Sequence, residues 1–374
     1  MQAQVFQVAS LDKTDPFQIP SPSDFILAEG ETIPIQKVLD DPTISIYCLD
    51  PGNEQAVFVR TPPELNLNEA PFYYVAQSEH AVELIKISYE TLYQIADQVD
   101  LDGRRLILIY SVGRSGTTVT SAAFDQAEDV ISFSEPGVFT QLVQMRDFSG
   151  TNDALISKLT AACIRLMCKQ AADPEQPFWA LKFRSQGFEL ADLIYHNFPE
   201  AKCLFLYRNA ELWLDSFVRA FGGYGYFSPE AITGSWLWCK STIRMIDAYP
   251  ISDPGEITGG LMMGLMWLNN MERCFEMIES EHPILPVRYE DLKANPLPVM
   301  EKLFEYCSVK PKNESALAEV FATDSQAGTP VAQDQVPQKK WDFSAELLEI
   351  FRRVIAEHPV IQTPDYRLSG TLTV

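Results

Sequence analysis

The sequence predicts an α/β fold: a three-layer α/β/α arrangement with a central, mainly parallel sheet and a P-loop-like phosphate-binding loop. Three observations carry this expectation. From residue 106 onward, short apolar runs at 106–110, 130–134, 178–183, 202–207 and 284–288 alternate with amphipathic stretches of helical length. That is the pattern of βαβ units, whose strands are buried on both faces. The first run leads into Ser111-Val112-Gly113-Arg114-Ser115-Gly116-Thr117-Thr118 and then a helical stretch at 119–127. Finally, Arg114, Glu135, Lys182 and Arg208 each end or follow one of these runs, and ligands of open parallel sheets bind at the carboxyl ends of strands.

The first hundred residues differ from the rest. They are rich in proline and carry short alternating runs at 44–48 and 56–60, which read as strands and turns. The stretch 79–99 reads as helix. The expected organisation is an N-terminal extension over 1–100, partly β-rich and of unread role, followed by the main domain over 101–374.

The loop after the 106–110 strand has the makings of an anion site. Backbone N–H groups at a helix start lack partners, and the helix dipole favours negative charge there. Gly113 and Gly116 let backbone approach a phosphate closely, and Thr117 and Thr118 add hydroxyl donors. A nucleoside-triphosphatase loop would read G-x-x-x-x-G-K-[ST]. Here Thr117 follows Gly116, and the cation, Arg114, precedes it. The bland alternative is an ordinary strand-to-helix turn.

Arg114-Ser115-Gly116-Thr117-Thr118 after a short strand resembles the 5′-phosphosulfate loop of sulfotransferases that use 3′-phosphoadenosine 5′-phosphosulfate (PAPS), in their bacterial form. Further stretches agree with the resemblance, which spans residues 106–340. Arg208 closes the 202–207 strand and Ser216 lies eight residues on. In the family, residues so placed hold the 3′-phosphate, and eight residues is just over two helical turns. Arg288-Tyr289-Glu290-Asp291-Leu292 resembles a late family strand whose tyrosine lies beside adenine. Tyr289 therefore reads either as a base contact or as a core tyrosine. Lys182 matches the family lysine that bonds the bridging oxygen of the leaving phosphate, a task that suits a point-charge donor. The stretch 324–330 occupies the place of the family's C-terminal nucleotide-covering loop but lacks the basic pair of the animal cytosolic form.

The resemblance implies sulfuryl transfer from PAPS to an acceptor hydroxyl, with 3′-phosphoadenosine 5′-phosphate (PAP) as product and no metal. Arg114, Ser115, Gly116, Thr117 and Thr118 would hold the 5′-phosphosulfate, with Arg114 and Lys182 stabilising charge on the transferred group. A base is also required. Cytosolic relatives use histidine, but none of the four histidines here (80, 196, 282 and 358) follows a strand candidate in a suitable loop. Glu135 lies between the 130–134 strand and Pro136-Gly137. Several bacterial and carbohydrate-type sulfotransferases are similar, with a glutamate there proposed as base. Glu135 otherwise reads as the cap of the following helix.

Composition bounds the partners. The chain has 374 residues, 46% of them hydrophobic, and a formal net charge of −22. Such acidity repels nucleic acid and anionic polysaccharide, so neither is expected as a partner. The expected acceptor is a hydroxyl-bearing small molecule, glycan, lipid or carrier-bound chain. No run reaches the roughly 18 apolar residues of a membrane span, and Met1-Gln2-Ala3-Gln4-Val5 is unlike the start of a secretory signal. Seven scattered cysteines without C-x-x-C spacing suggest reduced thiols and a cytoplasmic location. The Met-rich stretch 259–278 reads as a core helix or an apolar acceptor groove, and the aromatic loop 221–227 as an acceptor cap or a packed turn. Two other functions share these residues: a P-loop kinase or NTPase, disfavoured by the missing Gly-Lys-Ser/Thr, and a non-catalytic nucleotide-binding protein of the same fold.

Overall fold

The computed structural model describes residues 1–169, 177–224, 228 and 231–374. The chain forms two compact units, each built from separate stretches. One holds Met1–Leu106, Asp129–Lys182 and Leu190–Ala201; the other holds Ile107–Glu128, Phe183–Glu189 and Lys202–Val374.

The first unit contains an antiparallel sheet of β1 (Gln2–Leu11), β2 (Phe25–Pro34), β3 (Ile44–Asp50), β4 (Gln55–Arg60) and β5 (Glu83–Ser88), in the order β2-β1-β5-β4-β3. The expected runs at 44–48 and 56–60 are β3 and β4. The helix expected over 79–99 is not a single helix. The chain forms a helix at Tyr73–His80, then β5, then a second helix at Tyr89–Ala96. β5 sits in the middle of the sheet, pairing Ile85 with both Val5 and Phe58. Leu84 and Ile85 are fully buried there. Two neighbouring strands and burial on both faces override the helical spacing of its apolar residues. Ser88 then starts the second helix, its hydroxyl accepting from Thr91 N, as a good N-cap does.

Five more strands, β6 (Leu106–Ser111), β7 (Val130–Ser134), β8 (Phe178–Lys182), β9 (Lys202–Tyr207) and β10 (Ile284–Arg288), all pair in parallel. In the second unit β9 lies between β6 and β10; in the first, β7 lies beside β8 with Ser134 opposite Lys182. These are the five runs read from sequence, and helices intervene as an α/β chain requires. The helix expected at 119–127 spans Thr117–Phe124 instead. It begins earlier because Gly116, at φ +85°, turns the chain directly into its first residue.

Packing in the second unit fixes the strand ends. Tyr110 of β6 lies opposite Phe205 of β9. The Phe188 ring stacks on both, at 4.7 Å from Tyr110 and 4.9 Å from Phe205 between centroids, and Phe183 stacks on Tyr110 at 5.0 Å. Glu189 follows and is also buried, accepting from Asn269 Nδ2 (2.7 Å) and pairing with Arg273. The Met-rich helix Gly259–Glu279 is buried along most of its length, Met262, Trp267 and Met271 completely. It is a core helix. The aromatic loop falls partly outside the described residues, at 225–227. All seven cysteines are buried and none is in a disulfide. Among the described residues, no helix is long and apolar enough to cross a membrane.

Phe188 is fully buried and touches two strands, so Phe188→Ala is expected to cost about 3–5 kcal/mol of stability. Leu212→Ala, at an exposed position, is expected to stay within about 0.5 kcal/mol. Urea unfolding of both variants checks this; equal effects would show that the aromatic stack does not anchor β6 to β9.

Candidate functional site

The loop between β6 and the Thr117–Phe124 helix is built from left-handed backbone. Gly113 has φ +77°, Arg114 +48° and Gly116 +85°. Gly116 is the helix N-cap and brings no side chain to it. A Cβ at Gly116 would lie 2.9 Å from Cδ2 of Tyr289, so glycine is needed here for space as well as for φ. The loop is fastened to β9 and to the helix after it. Val112 N and Ser115 Oγ both donate to Leu206 O, at 3.2 and 3.0 Å, and Trp213 Nε1 donates to Val112 O at 2.9 Å. The Ser115 hydroxyl is therefore committed to the strand. Thr117 is buried and Thr118 half-buried in the first helical turn.

Two arginines meet against this loop. Arg208 leaves the end of β9, and its Nη1 donates to Arg114 O at 3.2 Å. Its guanidinium lies over the Tyr289 ring, 4.6 Å from the centroid, and its backbone carbonyl accepts from Trp267 Nε1 at 3.0 Å. Arg114 donates through Nε to Ser216 Oγ (3.4 Å) and through Nη1 to Gln326 Oε1 (2.7 Å). Ser216 is buried two turns into the helix Ala210–Phe221, as its spacing from Arg208 requires. Asn209 caps that helix by accepting from Glu211 N and Leu212 N.

The electrostatics are unusual. Arg114 and Arg208 have only neutral hydrogen-bonding partners, and neither forms an ion pair among the described residues. Burial, followed by the charges of Arg208 and Arg219, pushes the Arg114 pKa down to about 10. Burial also lowers that of Arg208. Arg208 Nε is buried and makes no hydrogen bond among the described residues. Two desolvated cations and an unused donor form a site that an anion with several oxygens would satisfy.

Arg114, Arg208, Ser216 and Tyr289 are thus brought together with Gly116. Gln326 was missed by sequence reasoning. It reaches Arg114 from the 324–330 loop, which Asp324 folds by accepting from Gln326 N (3.0 Å) and Gln333 N (2.7 Å). The Asp-x-Gln-x-Gly turn signal was present, but no basic residue drew attention to it.

In the first unit, parallel pairing of β7 and β8 sets Glu135 beside Lys182. Glu135 N donates to Lys182 O (2.7 Å) and Lys182 Nζ donates to Glu135 Oε1 (2.5 Å). Lys182 is 2% exposed. Its ammonium also donates to Ser134 Oγ at 3.4 Å and lies 5.8 Å from the Phe72 ring centroid. Ser134 in turn donates to Pro71 O at 2.6 Å. Glu135 has φ +61°, a conformation costing a non-glycine residue about 1–2 kcal/mol. The helix Gly137–Met145 has Pro136 as its N-cap and no capping side chain. The Glu135 carboxylate therefore faces the lysine and does not cap the helix.

Glu135→Gln removes the carboxylate paired with the buried Lys182 ammonium and is expected to cost about 3–5 kcal/mol of stability. Adding Lys182→Met removes that charge and should recover at least half of the loss. Chemical unfolding of the two single variants and the double variant checks this; additive losses would mean that the ion pair is not coupled.

No family model matches the chain, and no curated protein matches it. Among solved structures it is similar to a sulfotransferase from Alicyclobacillus acidocaldarius, at 16% identity and a TM-score of 0.34, over 67% of this chain and 92% of that one. It is also similar to a sulfotransferase from Mycobacterium avium, at 15% identity and a TM-score of 0.39, over 75% of this chain and 82% of that one.

Proposed function

We propose that this protein is a sulfotransferase that moves a sulfuryl group from PAPS to the hydroxyl of a small-molecule, glycan, lipid or carrier-bound acceptor by in-line displacement. The observation that carries this reading is the pair of half-buried arginines, Arg114 and Arg208, which have no carboxylate partner among the described residues and meet Ser216 and Tyr289 at the loop after β6. PAPS, when bound, supplies the sulfuryl group and two phosphates, and this donor set fits phosphates. Arg208 and Ser216 bind the 3′-phosphate, which distinguishes PAPS from ATP. Arg114, Ser115, Gly116, Thr117 and Thr118 bind the 5′-phosphosulfate, with Ser115 contributing backbone. Tyr289 contacts the adenine.

Glu135 takes the proton of the acceptor hydroxyl as the new S–O bond forms. The S–O bond to the 5′-phosphate breaks, and its electron pair stays on the phosphate oxygen. Lys182 donates to that oxygen. The observed ion pair supports a coupling between the two roles. While Glu135 is charged it holds the Lys182 ammonium; once Glu135 is protonated that hold weakens, and the lysine can serve the leaving oxygen as charge develops there.

Calorimetric titration with PAP, AMP and Mg-ATP tests the nucleotide assignment. Arg208→Ala should weaken PAP binding about 10- to 100-fold, the value of one hydrogen-bonded charge pair, and leave AMP binding within about threefold. Equal losses for PAP and AMP would remove the 3′-phosphate from Arg208, and a preference for Mg-ATP would favour a kinase-like enzyme. Glu135→Gln should lower turnover about 100- to 10,000-fold while PAP affinity changes less than about threefold. Unchanged turnover would eliminate Glu135 as the base.

A further inference from the structure

A surface cavity of about 300 Å³ in the first unit lies among the helices Tyr89–Ala96, Asp153–Met167 and Ala191–Asn197. Small side chains make the space. Ala154, Ala161 and Ala162 share a face of the Asp153–Met167 helix with Lys158 and Arg165, at the three- and four-residue spacing that aligns side chains. Ala161 and Ala162 fall between the two long basic side chains.

The charge of this lining inverts that of the protein. The chain has 51 acidic against 29 basic residues, yet the cavity is bordered by Lys158, Arg165 and His196 with a single carboxylate, Asp97. Neither Lys158 nor Arg165 has an ion-pair partner among the described residues. Each rests on an aromatic face: Lys158 Nζ is 3.8 Å from the Tyr93 ring centroid, and Arg165 Cζ is 5.5 Å from that of Phe198. Such contacts orient a cation without neutralising it. The nearby carboxylates Asp153 and Asp192 are both held by Arg146, so they do not compete. Asn197 Nδ2 donates to Ser157 Oγ at 2.8 Å, which leaves the Ser157 hydroxyl proton free to donate.

We propose that this cavity binds a small phosphate-bearing molecule, with Lys158 and Arg165 closing on the phosphate from either side and Ser157 donating a hydrogen bond to it. The two basic residues lie seven positions apart, about 10 Å along the helix axis, and both side chains are long enough to reach a group seated over Ala161 and Ala162. Two separate cations match a dianion better than a monovalent carboxylate. The volume leaves room for a small organic body beside the phosphate, against Tyr93. This site is independent of the nucleotide assignment made for Arg114 and Arg208.

His196 gives a local reporter, since the chain has four histidines and the imidazole NMR signal of His196 is assigned by its loss in His196→Gln. Inorganic phosphate, titrated into the full chain at fixed pH and ionic strength, is expected to shift this signal saturably. The double variant Lys158→Gln/Arg165→Gln should weaken binding at least tenfold, whereas Arg165→Lys, which keeps the charge, should stay within about threefold. Arg208→Ala should leave this titration unchanged, separating it from the nucleotide site. Acetate should bind at least tenfold more weakly than phosphate. A shift that does not saturate, or that persists in the double variant, would overturn the site; equal affinity for acetate would overturn the phosphate assignment.

Discussion

Arg114 and Arg208 are half-buried cations with no carboxylate to receive them among the described residues, and much of the second unit follows from keeping them there. Desolvating a guanidinium is costly unless its donors are met. The partners found are a backbone carbonyl, a serine, a glutamine and the face of a tyrosine ring. They come from the β6 loop, the helix after β9, the 324–330 loop and the start of the helix after β10. No local stretch could supply them all. The parallel register of β6, β9 and β10, locked by the stack of Tyr110, Phe188 and Phe205, is what delivers them to one place. A neutral shell compensates the charge less fully than a carboxylate would, which leaves both guanidinium charges open to an anionic partner.

The first unit resolves its buried charge in the opposite way. Lys182 is the more deeply buried of its pair and is given a full counter-charge, but by a residue whose backbone is held in an unfavourable conformation. The left-handed turn at Glu135 is held by its N–H to Lys182 O and by tight packing just beyond it. A side chain at Gly137 would collide with Pro20 and Tyr74. The N-terminal hundred residues thus bear directly on this pair: Pro71 accepts from Ser134, Phe72 faces the ammonium, and Pro20 and Tyr74 back the turn. Strain held in place by its surroundings keeps a carboxylate where relaxed backbone would not put it.

The parallel strands were legible because burial on both faces leaves continuous apolar runs with polar residues at their ends. β5 was not, because Leu84, Ile85, Ile87, Leu92 and Ile95 also satisfy a helical spacing. What separates strand from helix there is pairing with β1 and β4, a long-range fact. In the site, Arg208 and Ser216 could be read from the family resemblance, and the eight-residue interval between them agrees with a helix. Gln326 lies more than two hundred residues from Arg114 and carries no charge, so nothing local linked the two. The choice between base and cap for Glu135 depended on φ at one residue, and a sequence with proline next gives no sign of it.

An acidic protein that binds anions must confine its attraction to short range. At physiological ionic strength the screening length is about 8 Å, so the net charge of −22 acts on an approaching anion mainly near the surface. Buried cations escape that screening, and their attraction is strong only once water has been displaced. Arg114 and Arg208, half-buried, stand nearer to this class. Lys158, exposed and resting on Tyr93, stands in the screened class, where the same charge is worth much less. Its aromatic support and the alanine-lined space beside it recover part of the difference by fixing the ammonium and excluding some water. The depth at which each cation is held, more than their number, would therefore decide how strongly an acidic chain of this kind draws an anion.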